Sequence, residues 1–438
     1  MKKQILYILL SLVSLSSCED YLDIEPEGKV IPKTVEDNRG VITSAYHTYP
    51  DHLSRVAFRA DELDLDENYS DVTSYKDIYL WNDTGTDAFT LKYPYSDVYK
   101  SIFYCNYIIN EGVKTMEDSE EKDQLIGEAY ALRAYNHFSL VNMYAPTYNP
   151  ESASSDRGIP LALEIDLEHV YTPASVQSVY DQIIEDISSA KNYLVDDTQD
   201  TGLNYRFSNS ALYALEARAH LYMQNWDNVI DAVDNALAIK SDLVNLNEED
   251  ALLPNRFDAQ ESLLALDAPL ASGVNEGGYV SQDLIGAFDQ VNDLRFNRYF
   301  INTGSGYQSA KAGSDNFKCS FRVGELYLSK AEALLMEGRL NESKEVLLTL
   351  LGNRYESTYF STFETEVEAL STAQYTDLLF SERRKELALE GQRWFDLRRT
   401  TQKQIVHTFD GEDYFLKEND PRYTIIFPIE ARLNNPEL

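Results

Sequence analysis

Glu382, Glu386 and Glu390 recur every four residues, which puts three carboxylates on one face of a helix. Paired carboxylates are the working parts of glycoside hydrolases. Here Arg383, Arg384, Lys385 and Arg393 are interleaved with them, so the row reads as a charge-paired structural helix rather than an acid/base pair. Asp64-x-Asp66-x-Asn68 imitates the opening of a calcium loop, yet Tyr69 replaces its turn glycine and Tyr75 stands where the bidentate glutamate belongs. The six histidines (His47, His52, His137, His169, His220 and His407) show no paired metal-ligand spacing, and the cysteines make no zinc set. Gly304-Ser305-Gly306 lacks the flanking residues of a nucleophile elbow or a phosphate loop. The expectation is a protein without catalytic set, metal or cofactor.

The chemistry of recognition is better represented. Tyrosines number 31 against three tryptophans, and many fall in two irregular stretches, about 60–95 and 245–320, rich in Gly, Asn, Asp and Tyr. Loops of that length in a helical chain are either functional or disordered, and their aromatic content argues for ordered surfaces. Sugars offer C–H faces that stack on rings and hydroxyls that pair with polar side chains. The first stretch supplies Tyr75, Tyr79, Trp81, Asn82 and Asp83; the second supplies Tyr279, Arg298, Tyr299 and Tyr307. The expectation is that the two meet, with Trp81 as stacking platform and Asn82, Asp83 and Arg298 as hydrogen-bonding partners. For each aromatic the other reading, a ring covering the helical core, stands beside it.

Helices must carry these loops. Amphipathic stretches run at about 96–112, 119–143, 175–195, 209–223, 226–240, 322–337, 340–352 and 374–399, with starts marked by Ser208-Asn209 and Thr172-Pro173. Ala214 to Leu237 and Glu325 to Leu350 share a register: Ala217 corresponds to Ala331, and Gln224 to Gly338 at the turn. That spacing is similar to the tetratricopeptide helical hairpin. The chain of 438 residues carries 73 acidic and 38 basic side chains, a formal charge of −35, which repels polyanions and excludes nucleic acid as a partner. Three cysteines are too few for a disulfide framework; an oxidising compartment permits a Cys105–Cys319 bridge, but nothing in the spacing requires it. Lys2-Lys3, an apolar Ile5 to Val13 and Leu15-Ser16-Ser17-Cys18 read as a secretion signal over residues 1–17, too short to span a membrane. Leu-Ser-Ser-Cys resembles the bacterial lipobox, which makes Cys18 the lipid anchor of a tether over 18–40, followed by one domain over 41–438.

Several stretches, in order, resemble the SusD/RagB family of nutrient-binding lipoproteins. They are Cys18 to Asp23 with Pro26, Tyr99 to Ile109, Gly127 to Tyr144 with Arg133-Ala134-Tyr135, Gly158 to Leu161, and Ser281 to Arg295 ending in Asp293-Leu294-Arg295. Arg322 to Ala333, Glu382 to Arg399, and Phe427-Pro428-Ile429 with Asn435-Pro436 complete the set. Pro94-Tyr95 stands where that family often has a tryptophan, and Ala145 where it often has a glycine.

The resemblance implies an all-α, SusD-like fold: four tetratricopeptide-type helix pairs with long irregular ligand-binding loops on one face. It further implies a non-catalytic, lipid-anchored protein at the outer-membrane surface that delivers oligosaccharide or polysaccharide to a SusC-like TonB-dependent transporter. A peptide-binding RagB-like role is the alternative, and a surface glycoside hydrolase a more distant one. Arg133, Glu325, Glu332, Glu382, Arg383, Glu390, Arg393 and Asp396 are expected to hold the scaffold rather than touch a ligand.

Overall fold

The structure, a computed structural model, describes residues 32–50, 52–166 and 169–438; the signal segment and Cys18 lie outside them. The first described helix, α1 (Val35–Thr48), starts inside the expected tether because Thr34 and Asp37 form a capping box at its first turn. It pairs with α2 (Ser96–Tyr107), and the chain between them is the whole first excursion. Next come α3 (Glu120–Tyr144) with α4 (Val176–Lys191), α5 (Asn209–Met223) with α6 (Trp226–Ile239), and α7 (Val323–Met336) with α8 (Leu340–Leu351), each an adjacent hairpin. The second excursion separates α6 from α7. The expected helical fold is the observed one.

Local chemistry explains the joints. Ser119, Ser175 and Ser208 cap α3, α4 and α5, each accepting from the backbone N–H three residues on. The start of α4 is set by Ser175, not by Thr172-Pro173, since Pro173–Ser175 forms a short strand paired with Arg157–Pro160. The two matched hairpins turn through left-handed residues at the matched positions, Gln224 (φ 61°) and Gly338 (φ 74°). Helix α3 is buried from Gln124 to Tyr144 apart from Tyr130, because α2, α4 and α1 pack around it. Gly127 is required there: a Cβ would come 2.7 Å from the Leu194 backbone nitrogen.

The long helix expected over 374–399 is two. After α9 (Ser357–Ala369), α10 (Thr372–Glu386) ends in a turn through Leu389 (φ 60°) and Gly391 (φ 76°), and α11 (Arg393–Arg399) follows. The excursions are also less irregular than expected, with short strands β1 (Leu63–Leu65) and β2 (Gly278–Val280) and a helix over Thr73–Tyr79. Cys105 and Cys319 are buried free thiols, so no bridge joins them.

Buried ion pairs tie the frame together. Arg133 makes a bidentate contact with Asp186 (2.9 and 2.6 Å) and reaches Asn106, linking α3, α4 and α2. Arg218 grips Glu325, Arg399 grips Glu332, and Arg383 grips Asp396. Arg393 holds Asp61 at 2.7 and 2.8 Å, fastening α11 to the first excursion.

Candidate ligand-binding face

The two excursions are joined by backbone and by core. Strands β1 and β2 pair antiparallel, with Leu63 opposite Val280, Asp64 opposite Tyr279 and Leu65 opposite Gly278. Leu63 and Leu65 point inward and Asp64 outward, the period-two alternation of a half-buried strand. Beneath them Phe58, Tyr75, Ile78 and Tyr79 pack with Val274, Leu284, Tyr299 and Phe300 in a second hydrophobic core. Each such side chain contributes on the order of 1.5–3 kcal/mol, so this junction is a rigid base.

That core absorbs much of the expected site. Tyr75, Tyr79 and Tyr299 are buried in it and Trp81 in the main core alongside, all between 0% and 5% exposed. Trp81, expected as a stacking platform, lies stacked on His407 with centroids 4.2 Å apart and donates its indole N–H to the Arg59 carbonyl. Tyr79 stacks nearby on His407 at 4.0 Å, and burial pushes His407 down to about 4, keeping it neutral. Asp83 is consumed by Arg59, a fully buried guanidinium whose Nη1 and Nη2 lie 2.6 and 3.0 Å from its carboxylate. Arg298 spends its head on three carbonyls, Ala251, Leu246 and Glu248. Asn82 stays exposed and, with Asp83, lines a separate cleft of about 490 Å³ against the C-terminal segment 425–432. The aromatic row Tyr69, Tyr75, Phe58, Tyr79 and His407 runs between Asn82's neighbour Trp81 and the β1–β2 ladder. The expected residues therefore divide between two places.

At the ladder Tyr279 and Tyr307 do come together on neighbouring strands, both half-exposed. The turn before Tyr307 lies over the Tyr279 ring at Gly306, where a Cβ would approach the ring to 2.8 Å. Tyr69, also half-exposed, is packed in the same way against Gly277. Asp64 stands beside Tyr279 as its cross-strand neighbour. Although the side chain faces outward, desolvation by the surrounding protein pushes its carboxyl above the usual range, and no ion pair reaches it among the described residues. A groove of about 380 Å³ adjoins, lined by Asp64, Gln282, Asp283, Lys403 and Gln404 among others. Asp64, Tyr69, Gln282, Lys403 and Gln404 were not foreseen. The alternation Leu63-Asp64-Leu65 was the available signal, masked by its likeness to a calcium loop; in the structure Asp64 sits in a strand and Asp66 folds back on the Asn68 N–H at 2.9 Å.

The glutamate row is interior. Glu386 accepts from Arg295, Arg322 and Arg354, Glu382 from Arg295 and Tyr355, and Glu390 from Arg322 and Lys311. Burial alone would raise these carboxyls, but Lys385 and Arg295 at Glu382, Arg354 and Arg322 at Glu386, and Arg322 and Lys311 at Glu390 hold all three below the ordinary range. A general acid needs the opposite shift.

Comparison with known proteins accords with this architecture. A family profile described as starch-binding and associating with the outer membrane, of SusD-like type, matches residues 20–221, and the SusD family profile matches 271–434. The SusD-like protein P38 of Formosa agariphila is 24% identical over 517 residues, covering 98% of this chain and 96% of its own. A SusD superfamily structure from Bacteroides thetaiotaomicron superposes with a TM-score of 0.75 at 21% identity, covering 92% of this chain and 98% of that one. A laminarin-binding SusD-like protein superposes at 0.61 and 19% identity, covering 83% and 91% respectively. Among the described residues no helix is long and apolar enough to cross a membrane.

Proposed function

Since the chain belongs to the SusD/RagB family, we propose that it is a non-catalytic surface lipoprotein that captures neutral oligosaccharides on the β1–β2 face and delivers them to a SusC-like TonB-dependent transporter. One observation carries the reading: Asp64 and Tyr279, one from each excursion, stand side by side across the ladder as a carboxylate unpaired among the described residues and a half-exposed ring. That is the pair of groups a pyranose needs, one for its C–H face and one for its hydroxyls. Tyr307 and Tyr69 extend the aromatic surface, while Gln282 and Gln404 offer further hydroxyl partners in the groove beside Lys403, which is paired with Asp61. The laminarin-binding neighbour makes β-glucan oligosaccharides the first ligands to try. Cys18 carries the anchoring lipid in this reading.

The test is titration calorimetry with a panel of laminari-, malto-, cello- and xylo-oligosaccharides alongside short peptides. For the sugar that binds, Tyr279→Ala lowers affinity tenfold or more, about 1.4 kcal/mol, with an unchanged melting temperature. Equal affinity in the variant removes this face from the account, and binding of peptides alone transfers the role to peptide capture.

A further inference from the structure

A larger cleft, about 660 Å³, lies between the end of α1, the connector before α5 and the second excursion. It falls within the range of small-molecule sites, about 300–1,000 Å³, and it shares no lining residue with the β1–β2 groove or the 425–432 cleft. Its walls are preformed. Asn204, buried at the base, donates its amide N–H groups to the Phe257 carbonyl (2.7 Å) and the Ser262 hydroxyl (2.9 Å), while its own carbonyl accepts from the Ala265 N–H. One residue thereby fixes the frame to two segments of the excursion.

The lining is of two kinds. Tyr205 and Phe257 are half-exposed rings. Tyr205 is set edge-on against buried Tyr46 with centroids 5.4 Å apart, and its hydroxyl accepts from Arg206. Around them His47 and Asn316 are exposed, and Asp315 pairs with Lys318 at 3.2 Å. The single cation–anion couple leaves no net charge calling for a charged ligand, and the chain's overall charge of −35 opposes an anionic one. A peptide bound as an added strand needs unpaired backbone groups along an edge. Here the Phe257 N–H donates to the Asn316 carbonyl, the Phe257 carbonyl accepts from Asn204, and the Ala265 and Leu266 N–H groups are taken, which leaves less backbone for such a strand to pair with. Rings with amide, imidazole and ammonium groups at their edges suit a short neutral oligosaccharide.

We propose that this cleft, framed by Tyr205, Phe257, His47, Asn316 and Lys318, is a second carbohydrate-binding site, independent of the β1–β2 face. A chain with two sites holds a long glycan at two points, and its avidity exceeds that of either site.

The test is calorimetric stoichiometry on the whole protein with the same oligosaccharide panel. Phe257→Ala and, separately, the surface double variant Asn316→Ala/Lys318→Ala are measured beside Tyr279→Ala. Two sugar sites per chain are expected in the parent. Either cleft variant loses one of them or weakens it at least tenfold, and Tyr279→Ala affects only the other. Should Phe257→Ala fail to fold, the surface double variant decides alone. One site that only Tyr279→Ala alters overturns the second site and leaves the first standing. One site that only the cleft variants alter supports the cleft and overturns the β1–β2 face. No binding by any panel member overturns both.

Discussion

Glu62 shows how much a single side chain beside the proposed face decides. It is 2% exposed, its Oε2 accepts from the Leu389 N–H at 3.2 Å, and its Oε1 has no partner among the described residues. Burial pushes its carboxyl up to about 7, against the pull of Arg384 and Arg393. Because the folded value lies above the unfolded value of 4.5, the folded state holds a proton that the unfolded chain gives up first. Stability from this group is fully present below pH 4.5 and is lost as pH rises towards about 7, on the order of 3 kcal/mol in all. His407, held down to about 4 mainly by burial, acts with the opposite sign, its contribution being lost as pH falls below 6.5. Glu62→Gln keeps an acceptor for Leu389 without the ionisation. It is therefore expected to melt with the parent near pH 4 and above it at pH 8; parallel profiles for the two proteins would refute the assignment. Nothing in the sequence distinguished Glu62 from Asp61, whose carboxyl, although nearly as enclosed, is held well below its usual range by Arg393, Arg384 and Lys403. Titration behaviour depends on neighbours hundreds of residues away, which no local spacing reveals. Asp83 and Arg298, expected as ligand contacts, are likewise taken by partners that no local spacing shows, Arg59 and three loop carbonyls 24 to 52 residues away.

At the scale of elements, the second excursion is fastened by charge. Arg295 and Asp293 from the excursion, Glu261 before its Ser262–Leu264 strand, Arg322 at the start of α7, Arg354 after α8 and the glutamates of α10 form one buried network. Removing one partner of a buried pair strands the others, at a cost of about 3–5 kcal/mol. Arg322→Met leaves Glu261, Glu386 and Glu390 each short of a contact, and denaturant unfolding is expected to show a loss of that size. A loss below about 1 kcal/mol would mean that the network does not fasten the excursion to the frame. These elements were unevenly legible. The amphipathic hairpins were plain, down to the left-handed turn shared by Gln224 and Gly338, since local periodicity and packing agree there. The break between α10 and α11 was not, because Leu389 adopts a left-handed backbone that its side chain does not advertise, stabilised by Glu62 from the first excursion. Gly391 was the one local sign, and its Cβ would lie 2.7 Å from that of Leu53.

At the scale of the whole molecule, four hairpins form a frame whose two long interruptions meet in a three-residue antiparallel ladder. The meeting was foreseeable from the aromatic content of both stretches; which rings would face outward was not. Tyr79 and Tyr299 serve the interior because closing a second core under the ladder needs large apolar side chains, and Trp81 is taken into the main core beside it. What remains outside is a row of half-exposed tyrosines with an aspartate unpaired among the described residues and an adjoining polar groove. The most direct measurement is a crystal structure of the protein with the oligosaccharide it binds. An intact sugar chain is expected along the β1–β2 face, with one ring against Tyr279 and a hydroxyl within hydrogen-bond reach of Asp64. A sugar bound elsewhere with that face bare, or a chain cut into fragments, would contradict this expectation.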